Sequence, residues 1–284
     1  MKIMAIGEII FDVFGDESAI GGAPLNFCAH CVACGADAAL VSGIGNDEYG
    51  IKALEAIKGF GVETDFISVN NLETGKCIVT VSGGNPSYNV LRPAAYDKTA
   101  ADIAAIKAYG ADVFAFGTLI QREEESRNSV RKILEECSFN EIFCDINLRK
   151  NCYDKESCAL CLKNATILKL SEEEEPMLSQ FGFYETDSDK KKLLRNVADK
   201  YKNIRLILFT KGENGSLIYD ALNGEFVDIP AFEADVVSTV GAGDSYSAAF
   251  VCEYLKSGNI AKAGEAGAKL SAFVVSNKEA IPMP

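Results

Sequence analysis

The chain has 284 residues, 48% hydrophobic and 24% charged, a balance that suits one large domain needing neither disulfide nor metal for stability. A formal net charge of −13 repels nucleic acid and anionic membranes, which sets both aside as partners. No run of about 18 apolar residues occurs, so no membrane-spanning helix is expected.

Met1–Phe11 carries one lysine and an apolar run, then meets Glu8 and Asp12 without a small-residue cleavage site. It reads as a first strand, Ile3–Ile6, rather than a signal peptide. With no export signal, the ten scattered cysteines read as free, buried thiols of a cytoplasmic protein. Gly21-Gly22-Ala23-Pro24 opens a helix, with Pro24 suited to its first turn and Gly35 to its close. Asn26 and His30, one turn apart, share a face of it. A strand at Ala38–Ser42 and a helix at Ile51–Gly59 follow. Residues 65–91 then read as β without helix: Phe66–Val69, Cys77–Val81 and Tyr88–Leu91, with a turn at Ser82–Pro86. Together with residues near 13–20, this span predicts a small β lid inserted in a single domain of residues 1–284. Helices are expected at Ala101–Tyr109, Arg127–Cys137 and Lys190–Tyr201, and strands at Val113–Gly117, Ile142–Asp145, Ile167–Leu170 and Leu206–Thr210. Glu172–Glu175 suits a helix start, where carboxylates meet the positive end of the dipole. The alternation argues for an α/β fold with a mostly parallel sheet covered by helices.

The strand ends are polar or glycine-rich: Glu8 and Asp12, Gly43-Ile44-Gly45-Asn46-Asp47, Asp145-Ile146-Asn147-Leu148-Arg149, Lys169-Leu170-Ser171 and Thr210-Lys211-Gly212. Open α/β sheets bind ligands outside the carboxyl ends of their strands, so five such ends point to one site. The sharpest local signal is Ser238-Thr239-Val240-Gly241-Ala242-Gly243-Asp244, before a helical segment with Ala248, Val251, Cys252 and Leu255 as its apolar stripe and Gly258 as its stop. Small residues at a helix N-terminus let backbone N–H groups approach an oxyanion or a transferring phosphoryl group. Asp244 follows in the first turn, placed to accept a proton. Alone, this would be an ordinary helix start. The chain has neither a Gly-x4-Gly-Lys-Ser/Thr loop nor a Gly-x-Gly-x-x-Gly turn after the first strand, so it is neither a P-loop nor a dinucleotide-binding protein.

Over nearly its full length the chain resembles the ribokinase-like (PfkB) carbohydrate kinases. The matching pieces, in the family's order, are Gly7-Glu8 with Asp12, Gly21-Gly22-Ala23-Pro24-Leu25-Asn26, Gly43–Asp47 with Gly50, Asp145–Arg149, Lys169–Glu174, Thr210–Gly215 and the Gly-Ala-Gly-Asp turn. Gly-Glu and Gly-Gly-Ala-Pro-x-Asn most resemble bacterial fructokinases. The resemblance implies a three-layer α/β/α fold with a β lid that excludes water, and phosphorylation of a sugar by ATP, with D-fructose to D-fructose 6-phosphate first. Other acceptors it admits are ribose, 2-keto-3-deoxygluconate or a nucleoside; a non-catalytic sugar-binding homologue conflicts with the retained Asp244 turn. It implies that Asp244 is the base and that Gly241, Ala242 and Gly243 form the anion hole. Asp12, Gly22, Asn26 and Arg149 would bind the sugar, and Lys169, Thr210, Gly212 and Gly215 would line the nucleotide site. Glu174 would organise Mg²⁺ through water. A homodimer through the lid is compatible with this arrangement.

Three positions depart from the family. Ser238 stands where an Asp usually helps bind a monovalent cation, which leaves K⁺ dependence open. Ser171 stands where Asn is usual, next to the Mg²⁺ assignment, and Cys28 replaces a small residue. Cys28-x2-Cys31-x2-Cys34 falls inside the helix opened by Pro24, where the outer two sulfurs are offset by about 9 Å and about 120° and cannot share one cluster.

Overall fold

Seven parallel strands, joined mostly by helices, dominate the computed structural model, which describes residues 1–82 and 85–282. The strands are β1 (Lys2–Ile6), β2 (Ile10–Phe14), β3 (Glu17–Gly21), β4 (Asp37–Gly45), β5 (Ile67–Asn70), β6 (Gly75–Ser82), β7 (Asn85–Val90), β8 (Val113–Phe116), β9 (Glu141–Asp145), β10 (Ile167–Ser171), β11 (Leu206–Thr210), β12 (Ser216–Asp220) and β13 (Glu225–Ile229). The main sheet has the order β13-β12-β11-β10-β9-β8-β1-β4-β5, and the small sheet β3-β2-β6-β7. β5 through β11 of the main sheet run parallel, and β12 and β13 extend it antiparallel.

Strands buried on both faces need near-continuous apolar runs, and the core strands have them. Along each strand, alternate residues enter two separate cores. Ile3, Ala5, Leu40, Phe143, Ile167 and Leu208 pack under α1 (Ala23–Ala33), α2 (Glu48–Gly59), α8 (Ala242–Ser257) and α9 (Ile260–Val275). Met4, Ile6, Phe114, Cys144, Leu168 and Phe209 pack under α3 (Ile103–Tyr109), α4 (Glu124–Glu136), α5 (Lys155–Asn164), α6 (Glu175–Gln180) and α7 (Lys190–Lys200). The result is a three-layer α/β/α arrangement. All ten cysteines are free, and Cys28, Cys31, Cys158 and Cys161 are buried in these cores.

The expected lid boundary needs a correction. Residues 67–70 belong to the main sheet: β5 pairs in parallel with β4, Ser42 opposite Ile67 and Gly45 opposite Asn70. Helix α2 is the crossover that brings β5 back alongside β4, so the four residues complete a β-α-β unit. The small sheet uses β2 and β3 from the N-terminal stretch and β6 and β7 from the insertion. Of the expected turn at 82–86, Gly83 and Gly84 lie outside the described residues. The chain leaves the small sheet past a buried ion pair. Arg122 donates to Asp97 through Nε at 2.7 Å and Nη2 at 2.8 Å, and to the Leu91 carbonyl at 2.9 Å. Its guanidinium also lies over the Tyr96 ring.

Candidate active site

The carboxyl ends of β1, β8, β9, β10 and β11 face one edge of the main sheet, and the N-termini of α1 and α8 meet them there. Gly241 caps α8 with φ 81°, a left-handed conformation that glycine adopts without strain. A Cβ on it would stand 2.8 Å from the Ala280 carbonyl oxygen, so the turn is packed tightly against the C-terminal segment. His30 bonds the same oxygen at 2.8 Å through Nε2, and burial lowers its pKa, leaving a neutral ring that donates to the carbonyl. One turn earlier on α1, Asn26 is 3% exposed and donates through Nδ2 to Asp244 Oδ2 at 2.7 Å. The shared face of Asn26 and His30 thus fixes the first turn of α8 and the chain segment behind it.

Asp244, Gly241, Ala242 and Gly243 occupy the first turn and cap of α8. Lys169, from β10, reaches this turn: its Nζ is 3.1 Å from the point where a Cβ on Gly243 would lie. The same Nζ donates to Asp145 Oδ2 at 2.7 Å. Burial pushes the Asp145 carboxyl up to about 6, the Lys169 charge only partly opposing it. Burial works against the Lys169 charge as well, but Asp145 and Glu174 outweigh it and raise the ammonium pKa. Asp145 Oδ1 is buried and has no hydrogen-bond partner among the described residues.

Glu174 precedes α6, and its carboxylate is held by two backbone donors, Leu148 N–H and Ser171 N–H, each at 2.8 Å. It therefore ties the loop after β9 to the end of β10. Mg²⁺ keeps several waters and takes one or two protein carboxylates beside substrate phosphates. A carboxylate fixed by N–H groups, with lone pairs left over, fits that role through water.

At the start of α1, Gly22 is the cap with φ 115°, and a Cβ there would approach the Glu8 carbonyl oxygen to 2.4 Å. Asp12 lies on β2, its Oδ2 near Gly21, and burial raises its pKa against the opposing effects of Cys77 and Arg149. Arg149 is exposed, and its charge acts on both Glu8 and Asp12. Thr210 ends β11, where its carbonyl accepts Glu172 N–H at 2.9 Å. Gly212 (φ 55°) and Gly215 (φ 78°) form the turn into β12. Thr210, Gly212 and Gly215 lie one strand beyond Lys169 and form no hydrogen bond with the Asp244 group. The sequence reading assigned no role to Glu8, Asp145 or His30. The first two stand at strand ends, the one signal that could have found them; His30 carries no such mark.

The architecture is that of the ribokinase-like carbohydrate kinases. The chain belongs to the pfkB family carbohydrate kinases, whose family model matches residues 2–284, and it is a sugar kinase of that family. It is similar to a sugar kinase of Pyrococcus horikoshii, 27% identical over 274 residues, which span 89% of this chain and 83% of that one. The crystal structure of that uncharacterized kinase in complex with ATP superposes with a TM-score of 0.83, covering 98% of this chain and 94% of the other at 25% identity. Fructokinase-2 of Oryza sativa subsp. japonica is 24% identical over 282 residues, 91% of this chain and 81% of the relative. At similar distance stands 5-dehydro-2-deoxygluconokinase of Geobacillus thermodenitrificans, 23% identical over an alignment of 310 positions, gaps included, that covers 98% of this chain and 88% of the relative. No helix among the described residues is long and apolar enough to cross a membrane.

Proposed function

We propose that this sugar kinase transfers the γ-phosphoryl group of ATP to a neutral sugar, D-fructose first, giving ADP and D-fructose 6-phosphate. The observation that carries the reading is Asp244 at the N-terminus of α8, held by Asn26 at 2.7 Å beside a glycine turn and a lysine. In this reading Asp244 accepts the proton of the attacking hydroxyl as the O–P bond forms. The N–H groups of the Gly241–Gly243 turn and Lys169 stabilise charge on the phosphoryl oxygens while ADP leaves. Asp12, Gly22, Asn26 and Arg149 hold the sugar, and Thr210, Gly212 and Gly215 line the nucleotide side. Mg²⁺, organised by Glu174 through water, would neutralise charge on the phosphates.

The balance of charge favours a neutral acceptor. Glu8, Asp12 and Asp244 face that side against a single exposed arginine. A sugar acid or sugar phosphate would bring its anion toward Asp12 and Asp244, and toward Glu8 where that group is ionised, and like charges in a partly buried site repel. A homodimer through the small sheet belongs to the same reading, supported by the exposed Phe14 and Tyr88 on its strands.

Coupled ADP release over a panel of sugars tests the acceptor. Fructose should turn over fastest, and gluconate-type acids slowly or not at all. Asp244→Asn keeps the shape and removes the basicity, so turnover should fall by at least about 10²-fold with acceptor affinity largely kept. Wild-type turnover in that variant would sink the assignment of the base.

A further inference from the structure

One carboxylate at the sugar side has a geometry that its local role does not explain. Glu8 leaves β1 at the site edge and is 5% exposed. Its Oε1 accepts the N–H of Ala23, the first residue of α1, at 3.2 Å. The carboxylate also takes the backbone N–H of Glu8 itself, no side chain among the described residues donates to it, and Glu8 lines a cavity together with Asp145, Asn147 and Asp244. Capping a helix does not require such a placement. Asp47, Asp102, Asp154 and Asp189 cap α2, α3, α5 and α7 from exposed or half-exposed positions. Glu8 does the same from a buried strand end, where an ionised carboxylate loses its hydration.

Other groups face Glu8 from every side. Arg149 in the loop after β9 favours its charge, whereas Asp244 on α8 opposes it. Tyr96 lies within electrostatic reach, and Asp145 of β9 shares the cavity. Burial dominates and pushes the Glu8 carboxyl up to about 7. The fold thus holds a group that is costly to ionise, that takes backbone donors only, and that lines the same cavity as Asp244. Groups perturbed in this way in a cleft concentrate at functional sites.

We propose that Glu8 is a specificity-determining residue of the acceptor site, its Oε2 accepting a hydrogen bond from a sugar hydroxyl other than the one Asp244 deprotonates. This rests on the sugar-kinase reading above. The class of acceptor is then a neutral polyol with two hydroxyls in reach, one for the Asp244–Asn26 pair and one for Glu8. An analogue that lacks the second hydroxyl leaves a buried carboxylate unpaired, which such sites reject strongly.

The test compares wild type with Glu8→Gln on D-fructose and the remaining sugars of the panel. Gln retains the acceptor for Ala23 N–H, so a residue that merely caps α1 is rescued by it. Glu8→Gln should raise the acceptor KM about 10-fold or more, with kcat and the KM for ATP moving less than about 3-fold. In wild type the acceptor KM should rise as pH falls below about 7, and in Glu8→Gln it should not. Glu8→Gln with wild-type acceptor KM and pH profile overturns the proposal while leaving the kinase reading intact. If Glu8→Gln cannot be purified folded, a wild-type acceptor KM flat from pH 6 to 8 overturns it as well. If wild type phosphorylates no neutral sugar, the neutral-acceptor reading fails and this proposal with it.

Discussion

Ser238 illustrates how much one side chain can decide. A carboxylate here would put a negative charge beside the Gly241–Gly243 turn, which in the proposed reaction faces phosphate, and a cation would have to offset it. Serine is neutral, and its Oγ is engaged within the turn, accepting Val240 N–H at 3.3 Å, while its own N–H is donated to the Val275 carbonyl at 3.2 Å. Replacing K⁺ by a large inert organic cation at equal ionic strength should therefore change the wild-type rate little, whereas Ser238→Asp should become K⁺-dependent. A many-fold rise of the wild-type rate with K⁺ would defeat the argument. Side chains of this kind are readable in sequence because their chemistry is local. Asp244, Gly241 and Asn26 announce themselves through a helix start, but the 2.7 Å bond between Asn26 and Asp244 joins residues 218 apart. No local pattern encodes that bond, and for the same reason the role of His30 could not be read.

Among the elements, the small sheet and its anchor matter most. Arg122 and Asp97 have side chains only 1% and 3% exposed. Arg122→Ala would leave the Asp97 charge buried and unpaired, which costs about 3–5 kcal/mol. Urea unfolding should show a loss of that size. By contrast, Glu48→Ala, which breaks the solvent-screened surface pair with Lys52, should leave the urea midpoint nearly unchanged. A loss below about 1 kcal/mol for Arg122→Ala would mean that Asp97 finds another partner or water. If the sheet closes over the acceptor, amide exchange in β2, β3, β6 and β7 should slow when sugar is added, with β1 unchanged. Equal exchange with and without sugar would make the sheet fixed scaffold. The core strands β1, β4 and β8 through β11 were legible as apolar runs, since double-sided burial writes itself into composition. β5 was legible as a strand but not as a member of the main sheet, because its partner is chosen by the path of α2. The antiparallel pair β12 and β13 went unread because β12, though buried throughout, has only Leu217–Tyr219 as an apolar run between Ser216 and Asp220, and β13 shows no clean period, with Glu225 and Asp228 exposed and Phe226 and Val227 only half-buried.

For the molecule as a whole, the buried carboxylates set a pH dependence with a definite sign. Glu8 titrates near 7 when folded against 4.5 as its ordinary value, and Asp145 near 6 against 3.8. Between those values the folded chain binds more protons than the unfolded one. Their contribution to stability is thus fully present below about pH 4 and is lost as pH rises toward 7. Glu8→Gln removes its share, so relative to wild type the variant should gain on the order of 3 kcal/mol between pH 4 and pH 8. Denaturant titrations of both proteins at the two pH values measure this, and identical differences at both would refute it. The docking of α1 against α8 also has a consequence in time. The two helices are separated by about 200 residues, so at roughly 5–20 residues per second synthesis of the intervening chain takes on the order of 10–40 s. Through that interval the side of α1 that will meet α8 has no cover. That apolar face of the nascent chain stays open until residues 242–257 emerge, near the end of the 284-residue chain, and in that interval it is a binding surface for chaperones that hold exposed apolar segments.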